Sequence, residues 1–300
     1  MRILLLGAGG QVGWELQRAL TPLGDVTALT RAEADFTDLH RLRETVRAAK
    51  ADIVVNAAAY TAVDKAESEA AQAALVNAKA VGVLAEEAHR NRALLVHYST
   101  DYIFDGTKPD AYVETDAPNP ISVYGATKLQ GEEAVRITGV DHLIFRTSWV
   151  YATRGKNFPR TILAAAQTRD ELKVVADQIG APTSAELIAD VTALALHRIS
   201  ADRRGLTGTY HLTAAGETSW HAYAQHLLRL AARRGYSLKA NAERVMPVTT
   251  AEYSTLAKRI ANSRLATDKL RTAFGLTLPF WGAQLERFLD ELPHEGSPAR

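Results

Sequence analysis

Short apolar runs alternate with longer stretches of helical spacing through the first half of the chain. Apolar runs of four or five residues, ended by turn residues or a change of pattern, are typical of buried strands. The runs are Arg2–Leu6, Val26–Leu29, Ile53–Asn56, Leu94–Tyr98 and Leu143–Arg146. The helical stretches are Val12–Leu20, Leu39–Lys50, Ala70–Asn91 and Ser122–Ile137. Strand–helix alternation of this kind predicts an α/β fold, with a doubly wound parallel sheet that helices cover on both faces.

The pattern changes after Val150, where helical spacing dominates and turns contain glycine or proline. The helical segments are Phe158–Gln167, Ser184–Ile199 and Ser219–Arg234. Tyr210–Thr213 reads as one further strand. We therefore expect a sheet domain over residues 1–150 and a smaller, mostly helical substrate domain over residues 151–300. Some segments of the second part are expected to return to the sheet.

Composition narrows the class of protein. A formal charge of +1 over 300 residues argues against a nucleic-acid partner, and the absence of cysteine excludes disulfides and thiolate chemistry. The nine histidines form no metal-binding pattern, and no Gly-x-Ser-x-Gly elbow of a serine hydrolase occurs. The first apolar run is too short for a signal peptide, and no segment reaches the length of a membrane span. These features predict a soluble, cytoplasmic protein with no membrane partner.

A glycine-rich turn follows the first predicted strand and opens the first helix. Its glycines are Gly7, Gly10 and Gly13, and Gln11 and Val12 lie between the last two. Glycines at such a turn let the backbone approach a pyrophosphate, whose charge then rests on the helix N-terminus. A plain strand-to-helix turn is the alternative. The position favours a dinucleotide and hence a Rossmann-type sheet, in the spacing of short-chain dehydrogenases.

The end of the second strand indicates which dinucleotide binds. An acidic residue there would bind the ribose hydroxyls, whereas a basic residue accommodates a 2′-phosphate. This strand ends at Thr30 and Arg31, so we expect NADPH, with NADH as the open alternative. Arg31 could also be an ordinary solvated arginine. Asp35 and Phe36 would then lie near the adenine.

Tyr124 and Lys128 are spaced for one face of a helix, about 40° apart around its axis. None of the other nine tyrosines has a lysine four residues later. Thr100 lies where a predicted strand passes into a loop, an end that faces the ligand crevice in doubly wound folds. Carbonyl reduction needs such a trio. Tyr124 would donate the proton, Lys128 would lower its pKa, and Thr100 would hydrogen-bond the carbonyl oxygen.

Two further stretches border the same crevice. Asn56-Ala-Ala-Ala-Tyr-Thr61 leaves its strand with small residues, which would let a cofactor run close to the backbone; a tightly packed strand end is the alternative. Trp149 follows the predicted strand that ends at Arg146. Its flat face could stack on a sugar ring, and a large core residue is the competing interpretation.

Together these residues resemble the extended short-chain dehydrogenase/reductases, and within them the dTDP-4-dehydrorhamnose reductase family. The matching stretches are Gly-Gln-Val-Gly-Trp-Glu-Leu at 10–16, Asn-Ala-Ala-Ala-Tyr-Thr-Ala-Val-Asp-Lys-Ala-Glu at 56–67, Ser-Thr-Asp-Tyr-Ile-Phe at 99–104, Arg-Thr-Ser-Trp-Val-Tyr at 146–151 and Asp-Gln-Ile-Gly-Ala-Pro-Thr at 177–183. The resemblance implies reduction of dTDP-4-dehydro-L-rhamnose to dTDP-L-rhamnose, the last step in making a cell-envelope sugar donor.

The resemblance also implies roles for individual residues. Sugar contacts are implied for Thr100, Asp101 and Trp149. Cofactor contacts are implied for Gly10, Gln11, Val12, Asp35, Phe36, Ala59, Tyr60, Thr61, Tyr124 and Lys128. A homodimer is expected, with Mg²⁺ held away from the reaction by Glu15, Glu186 and Glu291; ordinary surface carboxylates are the alternative.

Two other functions stay open at this point. An epimerase or dehydratase of the same fold would recycle a bound nicotinamide instead of consuming it. A regulatory subunit without catalytic activity could keep the fold and the NADP site while binding a partner enzyme. The presence of Thr100, Tyr124 and Lys128 together favours the reductase.

Overall fold

The computed structural model of the protein describes residues 1–201 and 205–292. Six parallel strands form its central sheet. They are β1 (Arg2–Leu6), β2 (Asp25–Leu29), β3 (Ile53–Asn56), β4 (Leu94–Thr100), β5 (His142–Thr147) and β10 (Gly208–His211). Their order across the sheet is β10-β5-β4-β3-β1-β2. The predicted α/β fold with a Rossmann-type parallel sheet is confirmed. The strand order reverses between β1 and β3, which is where a doubly wound sheet opens its ligand crevice.

Alternate residues of β1 pack into two separate apolar cores. Ile3 and Leu5 join one cluster of buried side chains, whereas Leu4 and Leu6 join a second. Because successive side chains of a strand point to opposite faces, a strand covered by helices on both sides must be apolar throughout. This requirement explains why the first strands are uninterrupted apolar runs.

Helices cover both faces of this sheet and form much of the second half of the chain. They are α1 (Gln11–Leu20), α2 (Leu39–Ala49), α3 (Val63–Ser68), α4 (Ala70–Ala74), α5 (Ala80–Arg90), α6 (Val123–Thr138), α7 (Phe158–Thr168), α8 (Ala185–Ala201), α9 (Trp220–Arg233), α10 (Asp268–Phe274) and α11 (Trp281–Glu291). Side-chain caps set several of their starts. The hydroxyl of Ser122 accepts a hydrogen bond from the Gly125 amide at 3.2 Å at the start of α6.

The helix predicted over Ala70–Asn91 is interrupted by a π-helical turn at Leu75–Lys79. This turn contains Asn77, whose side chain accepts from the Tyr60 amide at 2.9 Å and donates to the Tyr60 carbonyl at 3.1 Å. Its backbone also packs closely on α6, where a Cβ at Gly131 would fall 2.2 Å from the Asn77 carbonyl oxygen. Tertiary contacts of this kind override a helical pattern.

The chain after β5 adds short strand pairs beside the sheet. They are β6 (Val150–Tyr151), β7 (Leu172–Val175), β8 (Ile179–Gly180), β9 (Thr183–Ser184), β11 (Thr218–Ser219) and β12 (Val245–Val248). Strand β12 pairs with β7, whereas β10 returns to the large sheet and pairs in parallel with β5. The strand predicted at Tyr210–Thr213 is therefore present, shifted by two residues, and it closes one edge of the sheet. Over the described residues, no helix has the length and apolar character needed to cross a bilayer.

Candidate active site

The glycine turn after β1 leaves no room for side chains at two of its positions. Gly7 has a φ of +80°, and a Cβ there would fall 2.6 Å from the Ala58 amide nitrogen. A Cβ at Gly13 would fall 2.1 Å from the Gly7 carbonyl oxygen. A Cβ at Gly9, by contrast, would meet nothing within 4 Å. The backbone therefore forms a tight turn against β3 and leaves open space in front of α1, as a pyrophosphate requires.

A cleft of about 680 Å³ lies in front of this turn and contains most of the predicted cofactor residues. Its lining includes Gly7, Gly10, Arg31, Asp35, Phe36, Ala59 and Tyr60. Phe36 is only 5% exposed, because most of its ring packs in the core, so it offers the cleft little more than an edge. Asp35 accepts hydrogen bonds from the amide and the hydroxyl of Thr37, which lower its pKa.

A second cavity, of about 470 Å³, adjoins the cleft and shares Gly10 and Ala59 with it. We call it the reaction cavity. Predicted site residues that line it are Gly10, Gln11, Val12, Ala59, Thr61, Thr100, Asp101, Tyr124, Lys128 and Trp149. Gln11 is held by Asn157, whose side-chain amide donates to its oxygen at 2.8 Å. The fold thus brings the proposed proton donor and the dinucleotide turn to one edge of the sheet.

Tyr124 lies in the first turn of α6, with its ring edge against Tyr102 at a centroid distance of 5.6 Å. Burial raises the pKa of Tyr124 above its ordinary value, although a hydrogen bond with Thr100 opposes the shift. The sequence predicted the opposite direction, from a neighbouring ammonium group. The difference follows from the burial of the phenol, which is the largest cause of the shift.

The Lys128 side chain lies in the wall of the reaction cavity and is almost fully buried. It is 2% exposed, and its Nζ donates to the carbonyl oxygen of Tyr98 at 2.6 Å. His97 Nε2 lies 3.3 Å from the same nitrogen. Burial lowers the pKa of Lys128 to about 8, although the Glu132 carboxylate opposes the shift. In this arrangement the lysine nitrogen is engaged by the backbone of β4.

Thr100 and Asp101 form a hydrogen-bonded pair at the end of β4. The Thr100 hydroxyl donates to Asp101 Oδ1 at 2.8 Å and accepts from the Tyr102 amide at 3.2 Å. Asp101 is 2% exposed, and burial raises its pKa to about 6 against hydrogen bonds from Ser263 and Thr100. The hydroxyl at the cavity wall is thus already oriented by its neighbour.

Trp149 adopts a backbone conformation that few non-glycine residues take, with a φ of 49°. Its indole stacks on Trp220 at a centroid distance of 3.6 Å. On the β8 side, a Cβ at Gly180 would fall 2.7 Å from Trp149 Cε2. These neighbours cover much of the indole. The predicted stacking on a sugar is therefore restricted to the part of the Trp149 ring that faces the reaction cavity.

A family model described as the RmlD substrate binding domain matches residues 1–294. The chain belongs to this family. A dTDP-4-dehydrorhamnose reductase of Burkholderia thailandensis is 51% identical, over 94% of this chain and 95% of that protein. The enzyme of the same name from Escherichia coli K12 is 49% identical, over 97% and 98%. A crystal structure of dTDP-4-dehydrorhamnose reductase from Bacillus anthracis in complex with NADP superimposes with a TM-score of 0.87, at 35% identity, over 97% of this chain and 99% of that one.

A third cavity, of about 320 Å³, lies beside Tyr102 in this member of the RmlD family. We call it the basic cavity. Its walls combine aromatic and basic side chains, among them Phe158, Lys173, Trp220, Tyr253 and Arg259. Arg259 is positioned by Asp64 at 2.5 Å and by the Tyr102 hydroxyl at 3.2 Å. These residues are dispersed over more than a hundred positions, so no local motif indicated them.

The Mg²⁺ site implied by the family resemblance is not supported by the geometry. Glu15, Glu186 and Glu291 do line one small cavity. Arg287 already pairs with Glu186 at 2.7 Å and with Glu291 at 3.2 Å, while Arg18 lies 3.8 Å from Glu15. Within the described residues no cluster of three or more acidic or histidine side chains could hold a metal ion. Arginine charges neutralise these carboxylates, so they do not fit Mg²⁺ as they stand.

Proposed function

We propose that the protein reduces the 4-keto group of dTDP-4-dehydro-β-L-rhamnose with NADPH, which yields dTDP-β-L-rhamnose. One observation carries the proposal. Thr100, Tyr124 and Lys128 line a single cavity that adjoins the glycine-turn cleft. About half of the sequence is identical to that of proteins named for this reaction, over nearly their whole length, which supports the substrate.

The cofactor would lie in the cleft beside the glycine turn. The turn at Gly7 and Gly10 leaves space for a pyrophosphate at the start of α1, and Arg31 lines the same cleft. A guanidinium there would pair with a 2′-phosphate, which favours NADPH over NADH. When bound, the reduced nicotinamide supplies the hydride that the C4 carbon of the sugar accepts.

Tyr124 would give its proton to the ketone oxygen as negative charge develops there. The raised pKa keeps the phenol protonated at neutral pH, so it is in the form that a reduction consumes. The Thr100 hydroxyl would turn from Asp101 toward the same oxygen. One hydride at carbon and one proton at oxygen convert the ketone to the alcohol.

The nucleotide part of the substrate would reach the basic cavity. Its lysine and arginine suit a diphosphate, and its aromatic walls suit a base. Most of this lining comes from the chain after Val150, in agreement with a division into a cofactor part at 1–150 and a substrate part at 151–300. That division, the homodimer and the cytoplasmic location stay predictions.

The proposal is tested by incubating purified protein with a panel of nucleotide-linked 4-keto sugars and following NADPH absorbance. The expected result is loss of one NADPH per alcohol formed, fastest with dTDP-4-dehydrorhamnose. Product formation without net oxidation would indicate an epimerase or dehydratase instead. No turnover with any sugar, despite NADPH binding, would favour a non-catalytic subunit. Parallel assays with NADH measure the cofactor preference.

A further inference from the structure

A short loop after β6 stands in front of the glycine turn. It comprises residues 152–157, and we call it the strap. Asn157, which is 8% exposed, closes its base. The side-chain amide of Asn157 donates to the Ala152 carbonyl at 2.7 Å and to the Gln11 side-chain oxygen at 2.8 Å. Because Gln11 is the first residue of α1, these hydrogen bonds fix the strap against the start of that helix.

The middle of the strap also lies close to Gln11. Gly155 has a φ of +73°, and a Cβ there would fall 3.3 Å from Gln11 Cγ. Asn157 donates to the Arg154 carbonyl as well, at 3.3 Å. The backbone of the strap is therefore held in place, and it carries two positively charged residues, Arg154 and Lys156, on either side of Gly155.

A cavity of about 520 Å³ lies between the strap and the glycine turn. We call it the turn cavity. It shares Gly9 and Gly10 with the glycine-turn cleft, and Gln11 and Thr61 with the reaction cavity. In a dinucleotide the pyrophosphate joins the two nucleosides. A cofactor with its adenosine in the cleft and its nicotinamide in the reaction cavity would therefore carry its pyrophosphate past Gly10, beside the turn cavity.

Arg154 is the only charged side chain among the described residues that line the turn cavity. Its guanidinium lies over the indole of Trp14, with Cζ 3.4 Å from the ring centroid. Trp14 belongs to α1 and is half exposed. Stacking on an aromatic face holds a guanidinium in place without neutralising its charge. Trp14 thus keeps a cation beside the cavity.

Lys156 is exposed and lines the reaction cavity, next to the turn cavity. Over the part of the chain that the structure describes, no carboxylate lies within ion-pairing distance of Arg154 or Lys156. Burial raises the pKa of Glu15 and Arg154 opposes the shift, but the ion pair of Glu15 is with Arg18, at 3.8 Å. Two cations without acidic partners, facing adjoining cavities, favour a ligand with adjacent negative charges.

We propose that the strap is a clamp for the cofactor pyrophosphate: Arg154, positioned by Trp14, and Lys156 bind its phosphate oxygens, while the start of α1 faces the pyrophosphate from the glycine turn. This inference rests on the proposed function and adds the residues that hold the middle of the cofactor. NADPH and NADH share the pyrophosphate, so the clamp contributes equally to both. Arg31, in contrast, would distinguish them.

Cofactor titrations of the full-length protein, followed by nicotinamide fluorescence, test the clamp. Arg154→Gln and Lys156→Gln should each raise the Kd of NADPH about five- to tenfold, and that of NADH by the same factor, because each removes one charge-assisted contact. Arg31→Ser should raise only the Kd of NADPH. Arg169→Gln, exposed at the end of α7, removes the same charge elsewhere and should behave as the wild type. Unchanged Kd values in both strap variants would overturn the proposal.

Adenosine 2′-monophosphate separates loss of the clamp from distortion of the cofactor site. This ligand carries the adenine and the 2′-phosphate but no pyrophosphate. Its Kd should therefore be the same in the wild type, Arg154→Gln and Lys156→Gln. If the strap variants weaken this ligand as much as they weaken NADPH, they damage the cleft, and the clamp is rejected.

A double-mutant cycle tests the role of Trp14. Trp14→Leu leaves both charges but removes the ring beneath Arg154, and it should raise the Kd of NADPH about two- to threefold. In the Arg154→Gln background the same change should have little effect, because the side chain that Trp14 positions is already absent. Trp14→Phe keeps an aromatic face and should bind like the wild type. Fully additive effects would show that Trp14 does not act through Arg154.

The same variants distinguish the clamp from the reductase assignment. Weaker cofactor binding in the strap variants, without turnover of any keto sugar by the wild type, would support the clamp and reject the reductase. An unchanged Kd of NADPH with a raised KM of the nucleotide sugar would show that the strap binds the diphosphate of the substrate, and the clamp would be rejected while the reductase stands.

Discussion

The indole of Trp149 stacks on the indole of Trp220 with centroids 3.6 Å apart and planes inclined by 13°. Trp149 lines the reaction cavity, whereas Trp220 lines the basic cavity. The Trp220 Nε1–H donates to Gln178 Oε1 at 3.2 Å, so the pair is anchored from behind. The two rings therefore form a wall between the cavities proposed for the sugar and for the nucleotide.

Removing the indole of Trp220 should raise the KM of the substrate more than it lowers kcat. Trp220→Ala exposes one face of Trp149 and opens the wall, and we expect the KM of the nucleotide sugar to rise about tenfold. The kcat should fall less, because Trp220 does not line the cavity of Thr100 and Tyr124. Trp220→Phe keeps an aromatic face and should recover part of the affinity. A large loss of kcat at unchanged KM would show that this assignment is incorrect.

Tyr124→Phe tests the proton donor directly. The variant keeps the ring and its edge contact with Tyr102 but has no proton to give, so turnover should fall by about a hundred- to ten-thousandfold. NADPH binding, measured by fluorescence titration, should stay close to that of the wild type. Substantial remaining activity would show that a group other than Tyr124 donates the proton.

Arg31→Ser should reduce the preference for NADPH. A charge-assisted hydrogen bond to a 2′-phosphate contributes about 1.5–3 kcal/mol, so the Kd of NADPH should rise roughly ten- to a hundredfold. The Kd of NADH should hardly change. Arg41→Ser, at an exposed site on α2, controls for the lost positive charge. If the Kd values of both cofactors rise equally, Arg31 does not recognise the phosphate.

Two glycines of the same turn should respond differently to alanine. A Cβ at Gly13 would overlap the Gly7 carbonyl, and we expect Gly13→Ala to lower the free energy of unfolding by about 1–3 kcal/mol or more. Gly9→Ala adds its methyl group to open space and should leave stability nearly unchanged. Urea denaturation of both variants measures the contrast, and equal stabilities would disprove the close packing.

His211 should make the fold sensitive to moderate acid. Burial, with a smaller contribution from Arg146, lowers the pKa of His211 to about 3, whereas the unfolded chain binds this proton near pH 6.5. Between these values the unfolded state holds more protons, so stability falls as pH decreases, by up to about 1.4 kcal/mol per pH unit. His211→Asn cannot titrate, and its amide can replace the imidazole Nδ1–H bond to the Tyr112 carbonyl. Its unfolding free energy should decline less steeply from pH 6.5 to 4, and a parallel decline would exclude His211.

The local pattern of apolar residues was sufficient to predict most strands of the sheet and several helices. Strands β1, β3 and β4 begin at the predicted residues because their apolar runs are bounded by clear turns. The pair β7 and β12 escaped prediction because each strand has only four residues and its partner lies about seventy positions away. Similarly, the π-helical turn depends on hydrogen bonds from Asn77 to Tyr60 and Thr127, which helical spacing does not encode.

In the candidate active site, too, local pattern does not predict which distant residues a side chain contacts. Spacing alone predicted that Tyr124 and Lys128 share one helix face. The position of Thr100 at the end of a parallel strand predicted that it lies beside them. Spacing could not predict that Lys128 would turn toward β4, because that direction depends on the Tyr98 carbonyl and on His97. Likewise, the stacking partner of Trp149 is Trp220, 71 positions further along the chain.

Strand β10 has a consequence for how the protein is made. It pairs with β5 and is separated from it by some sixty residues, so during translation β5 emerges long before its neighbour. Until then β5 presents unpaired backbone groups and apolar side chains, the kind of edge that recruits other chains. A nascent chain stalled near Val150 should therefore depend on chaperones, and a fragment ending there should aggregate. The sheet is therefore complete only after β10 has been synthesised and has paired with β5.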